Sequence, residues 1–75
     1  MNNETQTQEQ MILRALQAGR KLTPMDALND FDCFRLGARI FTLREQGYDI
    51  KTEDFKTPSG KHVARYWMPQ PELFV

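Results

Sequence analysis

Arg35, Arg39, Thr42 and Gln46 recur at i, i+4, i+7 and i+11. On a helix turning about 100° per residue, that spacing lines them up as one polar stripe. Arginine donates through a rigid planar fork, so Arg35 and Arg39 suit guanine O6 and N7 in a major groove, or a phosphate. The bland alternative is that both are solvated arginines pairing with Asp32 or Glu45 on their own helix. Thr42 continues the stripe as a phosphate or methyl contact. Gln46 sits at the C-terminal end, where such a helix lifts away from its ligand, and is not expected to touch it. Lys56, Lys61 and His62 flank Pro58-Ser59-Gly60, a turn sequence. Cations at a turn tip suit sugar-phosphate backbone, a contact that positions without reading sequence, although exposed tips collect lysines anyway. Thr23, ahead of Pro24, could present helix N-terminal N–H groups to a phosphate, but a capping role already accounts for it.

The elements that must position these residues follow from periodicity. Thr7-Gln8-Glu9-Gln10 has the spacing of a capping box, and the helix it opens turns Ile12, Leu13 and Leu16 inward before stopping near Gly19. Arg20-Lys21-Leu22 is a short connector. Thr23 as N-cap and Pro24 at the first position start a second helix, over about 24–30, with Met25, Leu28 and Phe31 facing in. Residues 29–33 form a turn with Asp32 as N-cap of a third helix. In that helix Leu36, Gly37, Ile40, Phe41 and Leu43 fall opposite the polar stripe, and Gly37 implies a close approach by the second helix. Arg44 projects toward the apolar side, where it is expected to pair with a carboxylate of the hairpin.

The third helix ends at Gly47, and alternation begins at once: Tyr48, Ile50 and Thr52 against Asp49, Lys51 and Glu53. Val63 to Met68 is a second strand, with Tyr66 and Trp67 on opposite faces, one of them destined for the core. The expected architecture is α+β, three short helices followed by a two-stranded hairpin. Residues 1–6 read as a disordered polar lead, 7–68 as the domain and 69–75 as a tail broken by Pro69 and Pro71.

Seventy-five residues suffice for one domain with a thin core. The net charge is zero, but it is unevenly spread. Residues 1–32 carry three basic against five acidic side chains, whereas residues 33–67 carry seven against four, with His62 besides. For a polyanionic ligand the local field matters more than the sum. Cys33 is the only cysteine, which leaves no internal disulfide and no cysteine-based zinc site. One histidine and one cysteine on different elements, no paired buried carboxylates and no glycine-rich phosphate loop argue against an enzyme and against any cofactor or metal. The polar first ten residues are no secretory signal, and no apolar run approaches the ~20 residues a bilayer requires. A cytoplasmic protein without membrane contact is expected.

The segment from Arg39 to Ile50, RIFTLREQGYDI, resembles the R-I-x-x-L-x-x-x-G-x-x-I signature of winged helix-turn-helix DNA-binding proteins. The fuller pattern resembles a family of small phage and prophage helix-turn-helix proteins. It is carried by LTPMDAL (22–28), FRLGARIFTLREQGYDI (34–50) and TPSGKHVARYWM (57–68). The resemblance implies a DNA-binding fold that regulates phage or prophage genes. It assigns Arg35, Arg39 and Thr42 to base or phosphate contacts and Lys56, Lys61 and His62 to the wing.

The expectation is therefore sequence-specific binding of double-stranded DNA, with the third helix in the major groove and the hairpin on the backbone. If the protein is a homodimer, half-sites about one helical turn apart follow. Two other readings stay open. One is a protein-interaction module on the same scaffold, docking on a host factor, favoured by zero net charge and the apolar ending Leu73-Phe74-Val75. The other is an architectural DNA binder such as an excision factor.

Overall fold

A computed structural model of the chain describes residues 4–69. The tail read from the sequence at 69–75 lies, except for its first residue, outside the described residues, as do residues 1–3. Three helices, α1 (Glu4–Gln17), α2 (Pro24–Phe31) and α3 (Leu36–Glu45), precede two strands, β1 (Lys51–Lys56) and β2 (His62–Trp67). The strands pair antiparallel, with Lys51 opposite Trp67 and Lys56 opposite His62. This is the expected order of three helices and a hairpin.

α1 begins three residues before the predicted capping box, so residues 4–6 are helical rather than part of a disordered lead. Thr7 lies inside the helix instead of capping it. Gln8 serves α2 instead: its Nε2 donates to the Asp32 carbonyl at 3.0 Å and to the Phe31 carbonyl at 3.5 Å, two orphan acceptors at that helix end. α1 closes at Gly19, whose φ of 95° costs a side-chain-free residue nothing. There Gly19 N–H donates to Leu16 and Arg20 N–H to Ala15, a paired C-terminal lock. α3 closes the same way at Gly47 (φ 103°), with Gly47 N–H on Arg44 and Tyr48 N–H on Leu43. That lock turns the chain straight toward the hairpin.

Thr23 caps α2 as expected. Its hydroxyl accepts from Asp26 N–H at 3.2 Å, while the Asp26 carboxylate accepts from Thr23 N–H at 3.0 Å. Asp32, by contrast, ends α2 rather than starting α3. It adopts φ 58°, a left-handed conformation that aspartate tolerates better than most residues, and its N–H returns to Leu28. Arg35 occupies the N-cap of α3 with no side-chain cap bond.

The core is a single cluster of Ile12, Leu16, Leu22, Ala27, Cys33, Leu36, Ile40, Leu43 and Ile50. Leu28 is half-buried and Phe31 packs against the cluster, but Met25 is 62% exposed. Ala27 faces inward in its place, because Met25 lies about 200° around the helix from it. Phe41 is likewise outside, at 63%. Leu36, Ile40 and Leu43 define a narrow inward seam at i, i+4 and i+7. The predicted apolar face spanned too wide an arc for so short a helix to bury. Gly37 is exposed and does not admit α2: the nearest atom to a side chain added there is the Tyr66 hydroxyl, at 3.9 Å.

Residues 20–22 do more than connect. Leu22 and Tyr66 exchange both backbone hydrogen bonds at 2.8 Å, adding a one-residue third strand beside β2. Two hairpin faces follow from the register. Thr52, Tyr66, Asp54, Ala64, Lys56 and His62 share the face turned toward α3. Lys51, Trp67, Glu53, Arg65, Phe55 and Val63 share the other. Tyr66 packs against the core as one of the two aromatics had to. Among the described residues no helix is long and apolar enough to cross a membrane.

Candidate nucleic-acid interface

Which cations are available to a polyanion depends on which are already bound. Arg39 is not: its guanidinium lies 3.1 Å from the Glu9 carboxylate of α1, and the two side chains are only 19% and 14% exposed. Thr42 is half-buried and donates to the Ala38 carbonyl at 3.2 Å. Gln46 lines a shallow crevice between α1 and α3 with Glu9, Leu13 and Tyr48. Of the predicted polar stripe, Arg39 is thus bound to α1 and Thr42 to its own helix, while Arg35 and Gln46 at its two ends are exposed. Arg39 lies about 40° around the helix from Leu43, so packing α1 against the core also covers Arg39.

Arg44 is also committed. Its Nε and Nη2 donate to the Ile50 carbonyl at 3.0 and 2.6 Å, Nη2 reaches Thr52 Oγ1 at 2.7 Å, and the guanidinium sits 5.9 Å from the Tyr66 ring centroid. It joins α3 to the hairpin as expected, though through a carbonyl and a hydroxyl rather than a carboxylate. Ile50 stands just ahead of β1, and arginine's fork matches a carbonyl and hydroxyl side by side.

On the far hairpin face Arg65 Nε donates to Glu53 at 2.6 Å, and its guanidinium stacks 4.3 Å from the Phe55 ring. Lys21 reaches Glu53 at 3.5 Å and lies over the Trp67 ring. Glu53 therefore sits below the ordinary carboxyl value of 4.5. The Arg65 hydrogen bond is the main cause, desolvation opposes it, and the charges of Arg65 and Lys21 add to the lowering. The unfolded chain takes up this proton near 4.5 and the folded protein only at lower pH. The stability contributed by ionised Glu53 is complete above about 4.5 and fades as pH falls through the depressed value. Glu53→Gln should accordingly lose less stability than the parent between neutral pH and about pH 3, as read by urea unfolding at each pH.

Elsewhere Arg20 pairs with Asp30 at 2.6 Å and Lys51 with Asp49 at 3.4 Å. His62 Nδ1 lies 2.7 Å from Asp54 Oδ2 at the outer end of the α3-facing side of the hairpin. Thr23 is buried and its hydroxyl and N–H are both taken, with the Asp26 carboxylate standing at the helix end where a phosphate would have to sit. Among the described residues, Arg14, Arg35, Lys56 and Lys61 have exposed side chains with no hydrogen bond or ion pair. Arg14 is on the outward face of α1. The other three lie at the start of α3 and around the hairpin tip, where Thr57 N–H donates to the Lys61 carbonyl at 2.7 Å and closes the turn.

Two features escaped the sequence reading. Two large apolar rings are exposed, Phe41 at 63% on α3 and Phe34 at 81% in the turn before it. Arg39 finds its partner 30 residues away, which spacing within one helix cannot show.

Three helices with a turn of residues 32–35 between the second and third, and a hairpin packed beside the third, define a winged helix-turn-helix. A family model described as a winged helix-turn-helix domain matches residues 7–71, and the chain belongs to that family. No curated protein matches, and no solved structure does. Such a domain is typically a DNA-binding module rather than an enzyme.

Proposed function

We propose that the protein binds double-stranded DNA sequence-specifically, with α3 in the major groove and the hairpin on the sugar-phosphate backbone, as a small transcriptional regulator of phage or prophage genes. The phage setting rests on the resemblance of the 22–28, 34–50 and 57–68 segments. The observation that carries the DNA reading is the distribution of unpaired cations. Of seven basic residues between 33 and 67, Arg39, Arg44, Lys51 and Arg65 are held by the protein itself, leaving Arg35, Lys56 and Lys61 at the two places a winged domain touches DNA. Arg35 takes a base edge or phosphate at the N-terminal end of α3. Lys56 and Lys61 take phosphates, and His62 joins them only by exchanging its Asp54 partner for a phosphate. Arg39, Thr42 and Thr23 act by fixing the helices rather than by touching the ligand. A DNA ligand places the protein in the cytoplasm or on the nucleoid.

Anisotropy of a labelled mixed-sequence duplex across a salt series tests this. Each phosphate neutralised contributes about 0.9 to the slope of log affinity against log salt. Three cations then give a slope near −2.7, or about a 40-fold loss between roughly 50 and 200 mM salt. Twice that slope indicates a homodimer engaging two half-sites. The rival reading, a winged module that docks on a protein such as a host factor, draws on the zero net charge and predicts no binding even at about 50 mM salt. Permutation of the site within a longer fragment separates a regulator from an architectural binder, since only the latter bends the duplex strongly.

A further inference from the structure

The outward face of α3 is built from the wrong residues for a hydrogen-bond code. Ala38 and Phe41, one turn apart on α3, are both exposed and form a short apolar stripe with exposed Gly37 beside it, while Phe34 precedes the helix and lies with Thr7, Gln8 and Met11 toward α1. Three polar side chains of the helix are engaged elsewhere, Arg39 by Glu9, Thr42 by the Ala38 carbonyl and Arg44 by Ile50 and Thr52, and Glu45 is exposed one turn beyond Phe41. Over the N-terminal two turns, where a recognition helix meets base edges, Arg35 is the one long side chain left free to donate.

We propose that this stripe reads the C5-methyl groups of thymine, so that the protein prefers thymine-bearing steps under α3, with Arg35 anchoring the helix start on a guanine or phosphate. The proposal rests on the DNA reading above and adds the chemistry of its specificity. In the major groove the thymine methyl is the apolar feature that a base pair presents, and alanine and phenylalanine are side chains that contact it. Gly37 and Ala38 keep the middle of the helix thin, and nothing but the Tyr66 hydroxyl lies within 4 Å of a side chain added at Gly37. The backbone can therefore approach the base edges closely. The charge setting favours a polyanion over a protein on this face. Unpaired Arg35 lies beside the stripe, unpaired Lys56 and Lys61 lie on the adjoining hairpin, and the acidic Glu45 comes only at the last helical position.

The test compares duplexes of equal length and fixed salt: one thymine-rich, one with deoxyuridine replacing every thymine, one G·C-rich, and the last with 5-methylcytosine throughout. Deoxyuridine keeps every hydrogen-bonding edge and removes only the methyl, while 5-methylcytosine adds one. The expected result is about a four-fold loss per methyl contacted on going to deoxyuridine, with a matching gain from 5-methylcytosine. Phe41→Ala should narrow the difference between the thymine and deoxyuridine duplexes while keeping the parental salt slope, its folding confirmed by an unchanged melting temperature. Equal affinity of the parent for both duplexes, with a steep salt slope, overturns the methyl reading and leaves DNA binding standing. Absence of binding to any duplex overturns both. If Phe41→Ala instead converts a dimer to a monomer by sedimentation and leaves the thymine preference intact, the stripe is a contact between copies and the proposal fails.

Discussion

Ile40→Ala should lower the melting temperature by about 8–40 °C, the largest stability loss expected of any single change in α3. Ile40 is 1% exposed and lies at the centre of the inward seam between Leu36 and Leu43. Truncating a buried isoleucine removes its transfer free energy and leaves a cavity, together about 2–5 kcal/mol. A chain of 75 residues has about 4–11 kcal/mol of total stability, so the loss is a large fraction of the whole. Each kcal/mol moves the midpoint of so small a domain by about 4–8 °C. Phe41→Ala, one position along, is the control, because an exposed ring is worth within about 0.5 kcal/mol to the fold. Thermal unfolding followed by circular dichroism separates the two. Equal losses at positions 40 and 41 would show that α3 is rotated from the orientation described.

That pair of positions also shows how far the sequence reaches. Local signals carried most of the fold. The Thr23-Pro24 cap, Gly19 and Gly47 as helix stops, and the period-2 run after Gly47 each bind atoms a few residues apart, so the residues themselves state the outcome. Helix rotation was not legible. Leu36, Ile40 and Leu43 could be told from Phe41 only by knowing that α1 covers the far side, and that depends on Glu9 meeting Arg39. The same blindness to long-range partners hid the Leu22–Tyr66 bridge inside an apparent connector and made Asp32 look like the start of α3. At the candidate interface, counting charges located the basic half of the chain, but four of its seven cations turned out to be structural. Residue types gave the class of ligand, while tertiary contacts decided which residues were free to meet it.

Replacing Arg35, Lys56 and Lys61 together by alanine should reduce duplex affinity by about 100-fold at low salt and flatten the salt dependence almost completely. Three charge-assisted phosphate or base contacts at about 1 kcal/mol each amount to about 3 kcal/mol, and every 1.4 kcal/mol is ten-fold in affinity. None of the three side chains has a hydrogen bond or ion pair among the described residues, so their removal leaves no buried group unsatisfied and the melting temperature should stay within a few degrees. Arg39→Ala has the opposite signature. It strands the Glu9 carboxylate in a pocket where that side chain is 14% exposed, a loss of about 1–3 kcal/mol of stability, and should leave the salt slope of the folded protein unchanged. Arg14→Ala removes an equally unpaired cation from the outward face of α1 and should alter neither property appreciably. Net charge alone would make the Arg14, Arg35 and Arg39 single variants equivalent in binding. If Arg14→Ala weakens binding as much as Arg35→Ala, the attraction is diffuse and α3 with the wing is not the interface. A slope that survives the triple replacement would move the interface to another face of the domain.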